Sequence, residues 1–510
     1  MQKAILKVSD ERGKKYPLLI GERKVWTKNF IVSENPANFA AGYTLGYVAQ
    51  ARKESAAIAM FMAQDAFEIW SKTPVQERAA ILLDASDIIR QERFELAALM
   101  ILEASKTWRE ADADVAEAID FLEYYARMAV ELMPFSPTEK LAAESNEYGY
   151  AGRGVSVVIS PWNFPMAIAT GMCAAALAAG NTVVFKPASA TVLIGYKIVE
   201  ILQRAGLPAG VINFLPGSGN ELGEYLVKHK YTKNILFTGS AKVGYQLIKW
   251  AAEADAEQQT HARRVIAEMG GKNAIIVDET ADLDQAVLNV VKSAFGFQGQ
   301  KCSACSRVIV LDSIHDEFVK RLVGAAAALK VGDPRLPGTD LGAVIDESAW
   351  RTIIHYINIG REEARLVYYV NVEPLWKFGY FVGPAIFTEV SPNSVLAQDE
   401  IFGPVLAVIS ADSFENAVRI ANASRYHLTG GVFSRTDEHI ALAKQKFAVG
   451  NLYINRGVTG AIVGRQPFGG FGASGTGPKA GGPDYLLRLM EERVITENLM
   501  RRGFSPELKN

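Results

Sequence analysis

The chain has 510 residues, 49% of them hydrophobic and 22% charged, which is enough for two or three domains with substantial cores and excludes a disordered protein. The net charge is −2 and the basic residues are scattered, which excludes the charge pattern of a nucleic-acid-binding protein and favours a small neutral or acidic metabolite as partner. Three cysteines are too few for a disulfide framework, so we expect a reducing, cytoplasmic location.

Neither the N-terminus nor the most hydrophobic run has the pattern of an export or membrane segment. Residues 1–17 carry charges on both sides of a very short apolar patch, unlike a secretory signal. Residues 166–180 (MAIATGMCAAALAAG) are rich in Ala and Gly and shorter than the roughly 18 residues that suggest a membrane span. This run predicts a buried helix packed closely against a sheet.

Residues 51–133 have a helical pattern that is typical of a scaffold. Thr73 is expected to be the N-cap of one helix, with Pro74 in the first helical position and Gln76 completing a capping box. Three residues are then expected to line one face of that helix: Leu82, Ala85 and Ile89.

Beyond this region, short apolar runs alternate with segments of helix length. The first series of strand-like runs is VSVVIS (155–160), TVVFK (182–186), VINFL (211–215) and NILFT (234–238). The second series is NAIIVD (273–278), RVIVLD (307–312) and PVLAVIS (404–410). Alternation of this kind indicates βαβ units, so the sequence predicts an α/β fold with two tandem parallel domains.

Two of the three cysteines lie in FQGQKCSACSR (297–307) with C-x-x-C spacing, which is shared by zinc sites, redox dithiols and single reactive thiols. The sequence has no second cysteine pair or suitably spaced histidine pair to complete four zinc ligands, so no metal is expected. A redox dithiol stays open as a less favoured alternative. A packing role for both thiols also stays open, because free cysteine is often buried.

The flanking residues favour Cys302 as a nucleophile. Gly296 and Gly299 loosen the backbone before it, and the positive charge of Lys301 would favour its thiolate. Cys305 leads directly into the strand-like run RVIVLD, where a buried and inert thiol is expected.

A nucleophilic thiol needs a base and an oxyanion site. Glu268 precedes a Gly-Gly turn in EMGGKN (268–273) and can lie at a strand end facing a cleft, although a solvated surface carboxylate has the same pattern. Asn163 in SPWNFP (160–165) follows a strand, where α/β proteins build their sites, although a loop Asn is usually a turn former. FTGSAKVG (237–244) fits either a phosphate loop before a helix or a tight turn.

These motifs occur together in an order that resembles the NAD(P)-dependent aldehyde dehydrogenase family over nearly the whole chain. The matching segments are SPWNFP, VVFKPAS, FTGSAKVG, EMGGKN, GQKCSACSR, EIFGPV (400–405) and PFGGFGASG (467–475). Residues 451–486 and 111–127 look like one branch, which oxidises L-glutamate 5-semialdehyde, formed from 1-pyrroline-5-carboxylate, to L-glutamate in proline degradation. The resemblance implies an aldehyde dehydrogenase-like fold with a Rossmann-like cofactor domain, a catalytic domain and a small oligomerisation region.

The resemblance also implies a role for each matching residue. Cys302 would be the nucleophile, Glu268 the base that activates water, and Asn163 with the Cys302 N–H the oxyanion hole. The cofactor, NAD with NADP as an alternative, would contact Ser160, Trp162, Lys186, Ser189, Gly217, Phe237, Thr238, Gly239, Ser240, Val243, Glu400 and Phe402. The substrate would contact Phe164, Ser303, Gly460, Ala461 and Phe468, where a hydroxyl and two backbone donors suit a carboxylate.

The implied domain boundaries divide the chain into five segments. Residues 1–135 would be a helical part of the cofactor domain, 136–155 an oligomerisation strand segment, 156–270 the NAD(P)-binding domain and 271–455 the catalytic domain. Residues 456–510 would return to the cofactor domain and the oligomerisation segment. The family implies a homodimer or a dimer-based hexamer.

Four residues depart from the family's pattern. Ser189 stands where many NAD-specific relatives carry Glu, so the choice between NAD and NADP stays open. Ser105 and Ser156 stand where Gly is usual, and Arg465 is a bulky charge near the substrate loop. The alternative functions are a dehydrogenase for another ω-carboxylate semialdehyde, such as succinate semialdehyde, or a catalytically silent binding protein with the same fold.

Overall fold

The computed structural model describes residues 1–39, 43–253 and 261–502. Its helices are α1 Gln2–Asp10, α2 Lys53–Trp70, α3 Val75–Gln91, α4 Arg93–Ala104, α5 Trp108–Leu132, α6 Ala167–Ala178, α7 Val192–Arg204, α8 Gly219–Lys228, α9 Ala241–Ala252, α10 Leu283–Phe295, α11 His315–Ala327, α12 Glu347–Glu363, α13 Val395–Gln398, α14 Phe414–Asn422, α15 Asp437–Lys446 and α16 Pro483–Leu487. None of the described helices is long and apolar enough to cross a membrane.

The strands form two large sheets and three small ones. They are β1 Lys14–Tyr16, β2 Leu18–Ile20, β3 Arg23–Val25, β4 Phe30–Glu34, β5 Thr44–Ala49, β6 Ser136–Pro137, β7 Glu144–Gly152, β8 Val155–Ile159, β9 Thr182–Lys186, β10 Ile212–Phe214, β11 Thr232–Thr238, β12 Arg264–Glu268, β13 Asn273–Val277, β14 Cys305–Leu311, β15 Arg365–Tyr369, β16 Ala385–Thr388, β17 Val405–Ala411, β18 Tyr426–His427, β19 Thr429–Phe433, β20 Asn451–Ile454, β21 Phe471–Gly472 and β22 Met490–Asn498.

The first large sheet has the strand order β12-β11-β8-β9-β10-β2-β3. Strands β8 to β12 run parallel to one another, and β2 pairs antiparallel with both β10 and β3. Successive residues of β8 face different cores: Val157 packs with α2, α8 and α9, and Val158 packs with α3 to α7. Helices therefore cover both faces, which is why the strands of this sheet are nearly continuous apolar runs.

The second large sheet has the strand order β15-β16-β17-β14-β13-β19-β20, with only β15 antiparallel. Its central strand β13 alternates in the same way, with Ile275 and Val277 in one core and Ile276 in another. The prediction of two parallel α/β series is confirmed, and the ends of all seven predicted strands differ from the observed ones by at most two residues.

The predicted helices are present, but one predicted cap is wrong. Helix α6 is buried apart from Ile168, as expected for residues 166–180. Helix α3 begins at Val75 with Pro74 as its N-cap and has no side-chain cap. The Thr73 hydroxyl instead donates to the Ile69 carbonyl (3.2 Å) at the end of α2, because the two helices follow each other so closely.

Five short strands within the first 49 residues were missed by the sequence analysis. Strands β2 and β3 extend the first large sheet, and β1, β5 and β4 form a small sheet of their own. Three of the five have only three residues, which is too short for an alternating pattern to be recognised.

A small antiparallel sheet joins two distant parts of the chain. All nine residues of β22 pair with β7, from Met490 opposite Gly152 to Asn498 opposite Glu144. Strand β6 covers the other edge of β7. Val494 is 68% exposed and Ile495 is 40% exposed, so β22 presents apolar side chains to its surroundings.

The buried carboxylate of Glu103 connects the helical region to the first sheet. It accepts hydrogen bonds from the Ser33 hydroxyl (2.7 Å) and from the N–H groups of Leu193 (2.8 Å) and Ile194 (3.1 Å) at the start of α7. Burial raises the pKa of Glu103 to about 7, and the three hydrogen bonds oppose that rise. A negative charge at a helix N-terminus also interacts favourably with the helix dipole.

Replacing Glu103 by Ala should destabilise the protein by about 3 kcal/mol, because the hydroxyl and two helix N–H groups lose their partner in a buried place. A thermal melt should show a midpoint several degrees lower. Glu77, an exposed acid in the first turn of α3, provides the control, since Glu77→Ala should leave the midpoint almost unchanged. Equal melting of both variants would contradict the bridging role.

Candidate active site

The loop between α10 and β14 carries the predicted nucleophile. Phe297 and Gln298 have positive φ angles of 51° and 55°, which are uncommon for residues other than glycine. Gln298 is fully buried and its side-chain amide donates to the carbonyl oxygens of Ala343 (2.6 Å) and Ser105 (3.3 Å). The loop is therefore fixed by its neighbours, rather than loosened by Gly296 and Gly299 as we expected.

The two thiols of the C-x-x-C pair have different surroundings. Cys302 is partly exposed, whereas Cys305 is buried and its thiol donates to the Arg307 carbonyl (3.3 Å). Burial raises the pKa of Cys305 to about 12. Of the two, only Cys302 is accessible to a reactant.

The Cys302 thiol is mostly protonated in the chain by itself. Burial raises the pKa of Cys302 to about 12, and the carboxylates of Glu400 and Glu268 raise it further. The backbone N–H groups of Ser303 and of Cys302 itself lower this pKa. A base or a change of surroundings is therefore needed to form the thiolate.

The expected effect of Lys301 on the thiol is wrong. Its ammonium group lies 2.8 Å from the carboxylate of Glu110 on α5 and 6.0 Å from the Phe164 ring. The larger electrostatic effects on the pKa of Cys302 come from Glu400 and Glu268, and both raise it. A neighbour in sequence need not be a neighbour of the sulfur, because the side chain points towards α5.

Glu268 is the last residue of β12, next to Thr238 of β11. Its carbonyl accepts from the Gly239 N–H (3.0 Å), which ties it to the Gly-Ser turn. The side chain is 8% exposed, and neither carboxylate oxygen has a hydrogen-bond partner among the described residues. Burial raises the pKa of Glu268 well above its usual range, and the ammonium of Lys479 opposes the rise. A buried carboxylate without partners is suited to accept a proton.

Asn163 lies against the nucleophile loop. Its side-chain amide donates to the Gln300 carbonyl (3.1 Å), and the residue is 4% exposed. An amide nitrogen has two hydrogens, so one donor remains for a substrate oxygen. The structure thus brings SPWNFP and the Cys302 loop together.

The residues between Glu268 and β13 contact both Glu400 and the nucleophile loop. The Gly271 N–H donates to Glu400 Oε1 (2.9 Å), and a Cβ on Gly271 would lie 2.3 Å from the Cys302 carbonyl oxygen. The guanidinium of Arg307, which is 2% exposed, donates to the carbonyls of Lys272, Ile420 and Ala421, the last two at the end of α14. The sequence analysis did not predict this role of Arg307.

Aromatic rings pack beside the nucleophile loop. Phe164 lies edge-to-face against Phe297 (6.5 Å between centroids), and Trp162 lies edge-to-face against Phe402 (5.5 Å). The ammonium of Lys106 lies 4.3 Å from the Phe164 ring and 4.0 Å from the Phe297 ring. Lys106 is fully buried and pairs with Asp114 (3.3 Å), a buried pair that has no recognisable sequence signal.

Most of the predicted cofactor residues lie at the carboxyl ends of β8, β9 and β11, whereas Glu400 and Phe402 precede β17 of the second sheet. Ser240 is the N-cap of α9, where its hydroxyl accepts from the N–H of Val243, which is 45% exposed. Among the described residues, the buried Lys186 ammonium has one long contact, to the Pro187 carbonyl (3.4 Å), and burial lowers the pKa of Lys186 to about 8. Ser160 is buried beside β9, and its N–H donates to the Lys186 carbonyl (3.2 Å).

Other predicted cofactor residues contribute shape. The Phe237 ring is buried, and a Cβ on Gly239 would lie 2.6 Å from it, so only glycine fits there. A Cβ on Gly217 would lie 2.5 Å from Leu222. Thr238 is half-buried and Ser189 is exposed. A helix N-terminus, the Lys186 ammonium and a carboxylate at Glu400 together suit the phosphates and ribose hydroxyls of a dinucleotide.

The predicted substrate residues are only partly brought together. Ser303 is buried beside Cys302, whereas Gly460 is exposed with φ +76°. Ala461 and Phe468 are half-buried. No hydrogen bond among the described residues joins Ser303 to Gly460 or Ala461, so the carboxylate anchor stays a prediction.

Two of the unusual serines have structural partners. Ser105 ends α4 with φ 56°, a left-handed conformation that favours glycine, and its hydroxyl accepts from the Ala343 N–H (2.7 Å). Ser156 accepts from the Asn234 side-chain amide (3.1 Å). Arg465 is exposed, and nothing in the structure explains its charge.

Comparison with known proteins matches residues 26–495 to the model of the aldehyde dehydrogenase family. The chain belongs to this family. A protein of Geobacillus sp. (strain WCH70) named 1-pyrroline-5-carboxylate dehydrogenase is 51% identical over 496 residues, which are 97% of this chain and 95% of that protein. A second protein of this name, from Geobacillus thermodenitrificans (strain NG80-2), is 50% identical over 494 residues, with the same coverage.

Solved structures of the family agree with the computed one. The 1-pyrroline-5-carboxylate dehydrogenase from Thermus with bound NAD has a TM-score of 0.93 and 46% identity, over 98% of this chain and 95% of that one. Proline utilization A from Bdellovibrio bacteriovorus has a TM-score of 0.96 and 46% identity. The match covers 99% of this aldehyde dehydrogenase but only 52% of the proline utilization A chain. The predicted fold class is confirmed.

The different surroundings of the two thiols can be tested directly. Iodoacetamide should label Cys302 and leave Cys305 unlabelled in the folded protein, because only the former is accessible. Cys302→Ala should remove essentially all dehydrogenase activity, and Cys305→Ala should keep most of it. Equal loss of activity in both variants would favour the dithiol alternative.

Proposed function

We propose that this chain oxidises L-glutamate 5-semialdehyde, formed from 1-pyrroline-5-carboxylate, to L-glutamate with NAD⁺ in proline degradation. The observation that carries the proposal is the accessible Cys302 thiol beside the buried, unpartnered carboxylate of Glu268. The relatives reported above support the substrate, since they are named for 1-pyrroline-5-carboxylate and not for succinate semialdehyde.

The first step is the attack of the Cys302 sulfur on the aldehyde carbon. The thiol proton is released to solvent first, because the thiolate is the nucleophile. The N–H groups of Cys302 and Ser303, which are close in the chain to the reacting sulfur, stabilise its negative charge. Attack produces a thiohemiacetal whose oxygen bears negative charge.

That oxygen is held by fixed donors. The free hydrogen of the Asn163 side-chain amide and the Cys302 N–H would donate to this oxygen. The hydrogen bond from Asn163 to the Gln300 carbonyl fixes the orientation of the amide. Fixed donors stabilise the developing charge without reorganising. Asn163→Ala should therefore weaken the attack more than substrate binding.

NAD⁺, when bound, supplies the hydride acceptor that converts the thiohemiacetal to a thioester. The chain would hold its pyrophosphate at the start of α9, its adenosine ribose at Lys186 and its nicotinamide end at Glu400 and Phe402. The Gly271 N–H fixes one oxygen of Glu400 and leaves the other for a ribose hydroxyl. NADP stays open, because Ser189 is exposed and uncharged.

Hydrolysis of the thioester completes the reaction. Glu268 accepts a proton from water, and the resulting hydroxide attacks the acyl carbon and releases the Cys302 thiolate and glutamate. Because burial raises the pKa of Glu268 well above its usual range, the basic form increases as pH rises through that higher value. The deacylation rate should increase with pH over the same range.

We also propose a cytoplasmic, homo-oligomeric enzyme. Three unpaired cysteines support a reducing compartment. The free edge and exposed apolar residues of β22 support pairing with another copy, as a dimer or a dimer-based hexamer. Light scattering of the purified chain tests the assembly.

NADH absorbance tests the reaction with three aldehydes: L-glutamate 5-semialdehyde, succinate semialdehyde and propanal. The first should have the highest kcat/KM. A higher value for succinate semialdehyde would replace the proposed substrate and keep the enzyme class. No NADH from any of the three would favour a silent binding protein.

Glu268→Gln should form the thioester at a normal rate and hydrolyse it slowly, because an amide cannot take a proton from water. Rapid mixing should show an NADH burst near one equivalent per site, followed by a slow steady rate. In the wild-type enzyme the steady rate should rise with pH, and in the variant this rise should vanish. A normal steady rate in the variant would assign the base to another group.

Ser303→Ala tests the anchor for the substrate carboxylate. For the wild type, kcat/KM for the semialdehyde should exceed that for propanal by on the order of 10²-fold, because the analogue leaves the anchor unpaired. The variant should reduce this gap by roughly 1–3 kcal/mol, the range for a hydrogen bond to a charged group. Propanal turnover serves as the control and should change little. An unchanged gap would place the anchor elsewhere.

A further inference from the structure

Side chains from two neighbouring strands hold three consecutive carbonyl groups of the nucleophile loop. The side-chain amide of Asn273 donates to the carbonyl oxygens of Cys302 (2.7 Å) and Ala304 (2.8 Å). The hydroxyl of Thr429 donates to the carbonyl oxygen between them, that of Ser303 (3.4 Å). The Thr429 N–H in turn donates to Asn273 Oδ1 (3.0 Å), so the two residues form one unit.

This unit lies in the interior at the amino ends of two strands. Asn273 is the first residue of β13 and is 3% exposed, and Thr429 is the first residue of β19 and is 1% exposed. The pairing of β13 with β14 is irregular here, since Asn273 lies opposite Cys305 and the next residue lies opposite Arg307. Such a bulge turns the backbone next to a site and lets the carbonyls face the strands.

The direction of the Cys302 carbonyl fixes the direction of the next N–H. In a planar trans peptide the C=O and N–H point in opposite directions, so the Ser303 N–H points away from Asn273. This N–H and that of Cys302 itself lower the pKa of the Cys302 thiol, whereas burial raises it. The carbonyl is confined from another side as well, because Gly271 lies so close that a Cβ would be 2.3 Å from it.

We propose that Asn273, with Thr429, is a positioning residue that holds the Cys302–Ser303 peptide so that the Ser303 N–H faces the Cys302 sulfur. The inference rests on the proposed role of Cys302 as the nucleophile. Asn273 is buried, and its side-chain amide is bonded to the loop carbonyls and to the Thr429 N–H, so it acts through the orientation of a peptide. This orientation of the Ser303 N–H favours the thiolate, whereas burial and the carboxylates of Glu400 and Glu268 disfavour it.

The test compares two buried asparagines in the full-length protein. Asn273→Leu keeps a side chain that branches at Cγ, removes the donors to the loop and adds no charge. Asn213→Leu is the control: Asn213 is fully buried in β10, its amide donates to the Gly210 carbonyl (2.8 Å), and its Oδ1 accepts from the Gly21 N–H (2.9 Å). The probe is iodoacetamide, and the readout is the rate of Cys302 alkylation as a function of pH, followed by mass spectrometry.

In Asn273→Leu the alkylation rate near neutral pH should fall about tenfold. The rate–pH curve should move to higher pH by about one pH unit, the size expected for one hydrogen bond to a charged group. The kcat should fall while KM for the semialdehyde and for NAD⁺ changes little. The control should lower the melting temperature by a similar amount and leave the curve unchanged. Thr429→Val, which removes only a hydroxyl, should move the curve in the same direction by less.

An unchanged alkylation curve in Asn273→Leu, or an equal shift in Asn213→Leu, would overturn the proposal. If Asn273→Leu does not fold, Thr429→Val decides alone, and an unchanged curve in that variant overturns the proposal too. The outcome is separable from the proposed function, because alkylation needs no turnover. Full activity in Cys302→Ala would refute the function, whereas a shifted curve would still support the positioning of the thiol.

Discussion

The short connection between the two large sheets is the constraint on which the rest of the site depends. Strand β12 ends at Glu268 and β13 begins at Asn273, so only four residues separate the two strands. The five Cα–Cα steps from Glu268 to Asn273 cannot span more than about 18 Å, so the carboxyl end of one sheet and the amino end of the other must lie close together. The connection itself then supplies the base, the N–H that fixes Glu400 and the close contact of Gly271 with the Cys302 carbonyl.

Desolvation is the common cause of the unusual protonation in this region. Burial raises the pKa of Cys302, of Glu268 and of Glu400, because each negative form would lose water without gaining a full counter-charge. The site therefore depends on oriented N–H groups more than on ion pairs. The nearest lysine in sequence, Lys301, is paired with Glu110 on α5.

The sequence was sufficient to predict the parallel strands, because buried strands between helices are continuous apolar runs with a clear boundary. The roles of Cys302, Glu268 and Asn163 came from motifs whose order matched a family. The cap of α3 was wrong, because the Thr73 hydroxyl has a second partner, the Ile69 carbonyl in the preceding helix. Local sequence does not reveal which partner is closer.

Other features could not be predicted, because they depend on residues far apart in the chain. The Lys106–Asp114 pair is recognisable only when Phe164 and Phe297 are seen on either side of the ammonium. Asn273 and Thr429 are separated by 156 positions and meet only because β13 and β19 are neighbours in the sheet. The three-residue strands of the N-terminal region have too few residues to show a period.

The guanidinium of Arg307 is satisfied by carbonyl oxygens of the Lys272 loop and of α14. Burial lowers the pKa of Arg307 to about 10, so the group stays charged at physiological pH. Dissolved ions weaken interactions between exposed charges, but they cannot reach a buried cation whose partners are dipoles. The loop that connects Glu268 to β13 is thus anchored independently of ionic strength, and the enzyme should keep its catalytic geometry in concentrated salt where surface ion pairs are lost.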